Sequence, residues 1–242
     1  MVEKLNMQKS EIQIVWFKRD LRISDHKPFF KASENKIPTL PIYIVEPEYW
    51  RQPFANRRHW YFINDSLREL REDLKKNHQN LFVRVGSVTN IFQKILLKYH
   101  IKRIYAHEET GNQWTFDRDV DVQQWCKKNK IILHEYPTNG VVRGLKNRSE
   151  WSQIRNARMK EKLVEVPVSI RSLKTIEEGI IPQKDDPIFK YNFNGQVQRG
   201  GRKEALKILN SFLDQRGKGY LSNISAPGGS EIYGSRISPH LT

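Results

Sequence analysis

Five consecutive positions near the amino terminus, Lys18-Arg19-Asp20-Leu21-Arg22, place three cations and a carboxylate directly after an apolar run, Ile12–Phe17. Open sheets of parallel strands bind their ligands at the carboxyl ends of the strands. The cluster therefore reads either as a contact for an anion or as an arginine–aspartate network that stiffens its own loop, and the residues alone leave both open. Near the other end, Ser235-Arg236-Ile237-Ser238-Pro239 sets two hydroxyls and a guanidinium ahead of a proline. Ser238 reads there as a helix N-cap and Pro239 as a first helical residue. Several chemistries are excluded. Gly229-Ser-Glu-Ile-Tyr-Gly234 continues with Ser-Arg, so the lysine of a Walker-type phosphate loop is missing. No GxGxxG follows the first run, which speaks against a dehydrogenase. There is no HExxH, and the seven histidines are scattered. The single cysteine, Cys126, rules out a disulfide framework and a cysteine-based zinc site, and beside Trp125 it reads as a small core residue.

Five short runs rich in β-branched and aromatic residues recur in the first half: Ile12–Phe17, Thr39–Val45, Leu81–Val85, Arg103–His107 and Ile131–Tyr136. Several are apolar at consecutive positions, which suits strands buried on both faces of a parallel sheet. Between them, Trp60, Ile63, Leu67, Leu70 and Leu74 mark one face of a long helix. Val88, Ile91 and Ile95, then Trp114, Val122 and Trp125, mark two more. The alternation predicts an α/β domain with a doubly wound, five-stranded parallel sheet over residues 12–137. Trp60, Trp114 and Trp125 are expected in its core. From 138 to 199 the spacing predicts one helix, around Arg148–Lys162, within an extension and interdomain linker punctuated by Pro167, Gly179, Pro182, Pro187 and Gly195. Ala205, Leu206, Leu209, Phe212 and Leu213 predict an amphipathic helix, and Ser222 to Ser230 reads as a loop.

The chain of 242 residues carries 42 Lys+Arg against 27 Asp+Glu, a net charge of +15. The excess is shared: residues 1–150 hold 27 basic and 18 acidic groups, residues 151–242 hold 15 and 9. Such a balance favours a polyanionic partner, and weak, salt-dependent DNA binding without lesion preference is expected. Met1 to Ser10 has no apolar run, and the apolar stretches are strand-sized, so neither a secretory signal nor a membrane span is expected. A cytoplasmic monomer is the simplest expectation.

Three separated segments carry a family resemblance that covers about residues 12–241. Ile14-Val-Trp-Phe-Lys-Arg-Asp-Leu-Arg-Ile-Ser-Asp25 strongly resembles the opening of the photolyase/cryptochrome family. His107-Glu-Glu-Thr-Gly-Asn-Gln-Trp-Thr-Phe-Asp-Arg-Asp119 is similar to that family's segment after the fourth strand. Gly200-Gly-Arg-Lys-Glu-Ala205, Phe212, Leu213, Arg216, Tyr220 and Ser235-Arg-Ile-Ser-Pro-His-Leu241 are similar, in order, to the start of its flavin domain.

The resemblance implies a Rossmann-like photolyase domain with the Ile12–Phe17 strand central, then a linker, then the start of an all-α FAD-binding domain over 200–242. It implies FAD contacts at Tyr220, Ser235, Arg236, Ile237 and Ser238, where hydroxyls, an arginine and helix-start amides suit a pyrophosphate. It implies an antenna chromophore (folate, deazaflavin or flavin) in the α/β domain, with Glu109 and its neighbour Glu108 near folate contacts of some members. Solvated helix-start carboxylates are the other reading of that pair. The implied activity is that of a deoxyribodipyrimidine photo-lyase, the light-driven repair of cyclobutane pyrimidine dimers in DNA. A cryptochrome-type blue-light signalling protein and a non-catalytic remnant are the alternatives. Family members continue for a helical region beyond the part matched here, so no catalytic residue is expected within 1–242. The chain alone is expected to be colourless at flavin wavelengths and unable to split dimers.

Overall fold

The computed structural model describes residues 9–173, 176–190, 193 and 195–241. Its strands are β1 (Glu11–Phe17), β2 (Thr39–Val45), β3 (Phe82–Val85), β4 (His100–His107) and β5 (Ile132–Tyr136). They pair in the order β3-β2-β1-β4-β5, every pair parallel, with β1 in the centre as expected. Helices α1 (Lys27–Ser33), α2 (Pro47–Trp50), α3 (Arg57–Lys76), α4 (Val88–Lys98) and α5 (Gln113–Lys128) fill the crossovers.

The two-residue period of a strand assigns the layers. Ile12, Ile14 and Trp16 of β1 point to one face, where they join Ile42, Phe82, Phe92, Val122 and Cys126 under α4 and α5. Val15 and Phe17 point to the other, with Phe29, Val45, Trp60, Leu67 and Leu70 under α1 and α3. All seven residues of β2 are buried, which is why its run shows no polar alternation. Asn56 and Asn112 start α3 and α5 by accepting N–H bonds from Arg58 and Thr115 at 3.0 and 3.1 Å. Of the tryptophans expected in the core, Trp60 is fully buried, Trp125 is partly buried, and Trp114 is half-buried against Tyr49 at 5.4 Å.

The stretch read as a linker is woven into the domain instead. Ser172 bridges Thr39 at the start of β2, and Val83 of β3 donates its N–H to Glu178 O at 2.7 Å. Ile181 and Phe189 then enter the core. Phe189 stacks on Trp60 with centroids 4.1 Å apart and meets Trp50 edge-on at 4.9 Å. Isolated apolar residues between prolines gave no period to read. The helix expected at Arg148–Lys162 is a 3-10 turn, Arg148–Glu150, followed by α6 (Trp151–Met159).

Beyond it lie α7 (Arg202–Asp214), α8 (Tyr220–Asn223) and α9 (Pro227–Tyr233). Gly200 sits against α3 where a Cβ would overlap the Phe62 carbonyl oxygen, so only glycine permits this approach. Helices α8 and α9 replace most of the loop expected at 222–230; Pro227 suits the first turn of α9, and Ser230 N–H closes on Ala226 O at 2.8 Å. Ser238 is not an N-cap: it is the first residue of a three-residue 3-10 turn, Ser238–His240, whose N-cap position is held by Ile237. Among the described residues no helix is long and apolar enough to cross a membrane.

Candidate functional site

A cavity of about 650 Å³ opens at the carboxyl ends of β1, β2 and β4. Trp16 and Lys18 come from the end of β1, Glu46 follows β2, and Glu109 follows β4. Tyr49 belongs to α2, Phe62 to α3 and Arg118 to α5, while Ala205 of α7 and the Ser238–His240 turn close the far side. Aromatic rings thus form the walls, and Arg19, Arg58 and Arg202 bring cations to the lining.

A dense ionic floor lies beneath. Arg118 pairs with Glu46 at 3.0 Å, Glu109 at 3.0 Å and Asp119 at 2.9 Å. Lys18 pairs with Asp119 at 2.7 Å, both side chains buried. The Lys18 ammonium and the Arg118 guanidinium also lie 4.6 and 5.0 Å from the Trp16 ring centroid. Burial alone would loosen the Arg118 proton, but Glu46, Asp119 and Glu109 outweigh it and the pKa rises. Burial pushes the Glu46 carboxyl up against the opposing pull of Arg118. Of the Lys18–Arg22 cluster, Lys18 and Asp20 are therefore internal network members, whereas Arg19 and Arg22 face the cavity. Glu109 is not a solvated helix-start carboxylate. It is buried, accepts N–H bonds from Thr110 and Gly111 at 3.0 and 2.9 Å, and accepts from Arg118 of α5, nine residues on, at 3.0 Å. Glu108 is tied to Arg143 at 3.8 Å.

The scattered histidines hide a second cluster. His26 Nε2 and His107 Nδ1 both meet Asp20 Oδ2, at 2.7 and 2.5 Å, and all three side chains are buried. Six and eighty-seven residues separate these partners from Asp20, so no local spacing could reveal them; the adjacency of β1 and β4 does. Three such atoms within 4.8 Å of one another resemble a metal site. His26 argues otherwise. Its Nδ1 accepts the Phe29 N–H at 3.1 Å, capping α1, so in a neutral ring Nε2 must carry the proton and has no lone pair for an ion. The cluster is a staple joining the β1 exit to α1 and β4. Burial lowers the His26 pKa from 6.5 to about 4, although Asp20 pulls the other way. Burial would raise Asp20, yet the two imidazoles hold it well below the usual range.

Both shifts favour the unprotonated group in the folded state. Stability is full above the unfolded histidine value of 6.5 and falls as the pH drops toward about 4, with Asp20 adding a further loss below that. The expected loss over that window is about 3 kcal/mol. Urea unfolding at pH 7.0 and 4.5 measures it, and His26→Asn should flatten the window; an unchanged pH response in that variant would remove His26 as its cause.

The residues with expected FAD contacts do not converge on the cavity as a set. Ser238 lines it, whereas Tyr220 packs edge-on against Phe212 at 5.8 Å. Arg216 ties the segment to α7, bonding Ile208 O at 2.9 Å, Ser211 Oγ at 3.0 Å and the Gly234 carbonyl. Arg236 has φ +57°, and Ile237 follows in the right-handed region. Successive amides in such a turn make a concavity that accepts anions, so the segment fits a phosphate.

The DNA photolyase family model matches residues 13–150, more than half of the chain. The chain belongs to this photolyase/cryptochrome family. A cryptochrome DASH of Synechocystis is 29% identical over 125 residues, 50% of this chain and 24% of that relative. A solved Synechocystis cryptochrome superposes with a TM-score of 0.77 at 21% identity, covering 97% of this chain and 53% of the other. An archaeal photolyase from Sulfolobus tokodaii, solved with two FAD molecules, gives 0.68 at 24% identity, covering 96% and 51%. The chain thus spans about half the length of these solved relatives and shares their fold over that part.

Proposed function

We propose that this chain is the chromophore-holding part of a light-driven flavoprotein that repairs cyclobutane pyrimidine dimers in DNA. The observation that carries the reading is the aromatic cavity with a cationic lining at the carboxyl ends of β1, β2 and β4, in a chain of this family. Its volume lies within the range of cavities that enclose a drug-sized ring system. A planar antenna chromophore, a folate, deazaflavin or flavin, would lie between the aromatic walls with its polar ring edge toward Glu46 and Glu109. Its anionic group would face Arg58 and Arg202. The same reading keeps Tyr220, Ser235, Arg236, Ile237 and Ser238 as contacts of the FAD phosphates and ribityl chain. FAD, when bound, supplies the light-driven electron that opens the dimer. The chain's own residues would exclude water from the antenna ring, fix its orientation and neutralise the phosphates. Cryptochrome-type signalling is the second reading, favoured by the cryptochrome relatives.

Titrating flavin mononucleotide and riboflavin into the purified chain tests the cavity. Arg58→Gln with Arg202→Gln should weaken the phosphorylated ligand about tenfold and leave riboflavin unchanged, since an anion contact of this kind contributes about 1.4 kcal/mol. Ala205→Trp, which fills the cavity from α7, should abolish both. Binding that survives Ala205→Trp would place the chromophore elsewhere. Light-dependent repair of dimer-containing DNA by the chromophore-loaded chain, against the inactivity expected of this chain alone, would decide for repair over signalling.

A further inference from the structure

Helix α6 and the 3-10 turn before it bury no side chain. Nine residues are too few to hold a helix by propensity, and α6 has no apolar stripe under which to pack. Polar tethers fix it instead: Trp151 Nε1–H donates to Gly140 O at 2.9 Å, and Arg158 donates to Val141 O at 2.6 Å and Asn139 O at 3.2 Å. Lys27 reaches Glu161 at 3.3 Å. The helix is held in place with its sides turned to solvent.

Residues 143–162 carry seven cations and two carboxylates. Arg143 is spent on Glu135 and Glu108, and Arg158 on the two carbonyls. Lys146, Arg148, Arg155, Lys160 and Lys162 have no ion pair among the described residues, unlike the buried cations at the cavity. Among them stands Trp151, 40% exposed, with the Arg155 guanidinium 5.7 Å from its ring centroid. Unpaired cations around an accessible indole are the two components of sequence-tolerant single-strand binding, one for phosphates and one for an unstacked base.

We propose that this α6 arm is a docking surface for single-stranded nucleic acid. Duplex bases are already stacked and leave Trp151 without a partner. A lipid surface would need a broader apolar face than this nine-residue helix has. The inference stands apart from the chromophore cavity and needs neither flavin nor light.

Fluorescence anisotropy of a labelled oligothymidylate with the full chain, over a salt series, tests it. Five phosphate contacts predict a slope of log affinity on log salt near about −3.5. Replacing Lys146, Arg148, Lys160 and Lys162 together by Gln should lower affinity at least tenfold and bring the slope to about −1. The matched replacement of Lys94, Lys98, Lys127 and Lys128, exposed on α4 and α5, should change affinity less than about threefold. Trp151→Ala should lose about tenfold while Trp151→Phe retains most binding, with unaltered melting showing that the domain is intact. Equal losses in the two quadruple variants would overturn the proposal, because the charge would then act diffusely. So would tighter binding of a duplex of the same length, a Trp151→Ala variant that binds like the parent, or binding to phosphatidylserine vesicles without binding to the oligonucleotide.

Discussion

Arg118→Met is expected to cost the domain about 3–5 kcal/mol, enough to unfold much of the population at 37 °C. The guanidinium neutralises Glu46, Glu109 and Asp119 at once, and the side chain is almost wholly enclosed. Removing it leaves Asp119 to Lys18 and Glu109 to the half-exposed Arg19 at 3.8 Å, and it leaves the buried Glu46 carboxylate without an ion pair among the described residues. Methionine matches the length of the arginine stem, so packing loss is a minor part of the effect. Guanidinium denaturation of parent and variant measures the difference. Adding Glu46→Gln and Glu109→Gln to Arg118→Met should restore a large share, because amides tolerate the same pocket without a counter-ion. A loss below about 1 kcal/mol in the single variant would mean that water reaches the network and screens it.

Phe189→Ala should rank beside it, at about 3–5 kcal/mol, for an apolar reason. The ring is fully buried, lies nearly parallel to Trp60 and closes one end of the α3 face. Its carbonyl also accepts from Arg57 Nη2 at 2.6 Å, so the backbone around it is positioned by α3. With the ring gone, residues 181–189 lose their only aromatic anchor into that core and should become sensitive to limited proteolysis before the sheet does. Phe189→Leu, which keeps most of the volume, should cost less than half as much. Cleavage patterns identical in parent and Ala variant would show that Ile181 and the Gln183 and Pro182 carbonyl contacts to Trp60 and Asn64 suffice.

These two sites also mark the limits of reading this chain from its residues. The central strands were legible because burial on both faces imposes continuous apolar runs, and the α3 face was legible because its spacing repeats over about four turns. Phe189 was not: one aromatic among prolines has no period, and only tertiary packing gives it a role. Glu109 was read near a ligand or in water, and its burial depends on an arginine on the next helix, a pairing that composition cannot express. The Asp20, His26 and His107 staple required knowing that β1 and β4 are neighbours. Helix α9 was hidden by Gly228 and Gly229, which have low helix propensity; Gly229 sits where a Cβ would overlap the Asn223 side chain, and Pro227 suits the first turn. The Lys18-Arg19-Asp20-Leu21-Arg22 cluster, open between anion contact and internal network, supplies Lys18 and Asp20 to the buried network and Arg19 and Arg22 to the cavity lining.

Cys126 has a practical consequence. It is the only cysteine in the chain, it lies under α5 against the sheet, and burial pushes its thiol up to about 12. At neutral pH a maleimide or disulfide reagent therefore meets no thiolate until α5 lifts from β1 and β4. The rate of alkylation is thus a native clock for that opening, read by mass spectrometry without any engineered probe. Followed with and without a chromophore, it would report how far occupancy of the cavity quiets the helix that supplies Arg118.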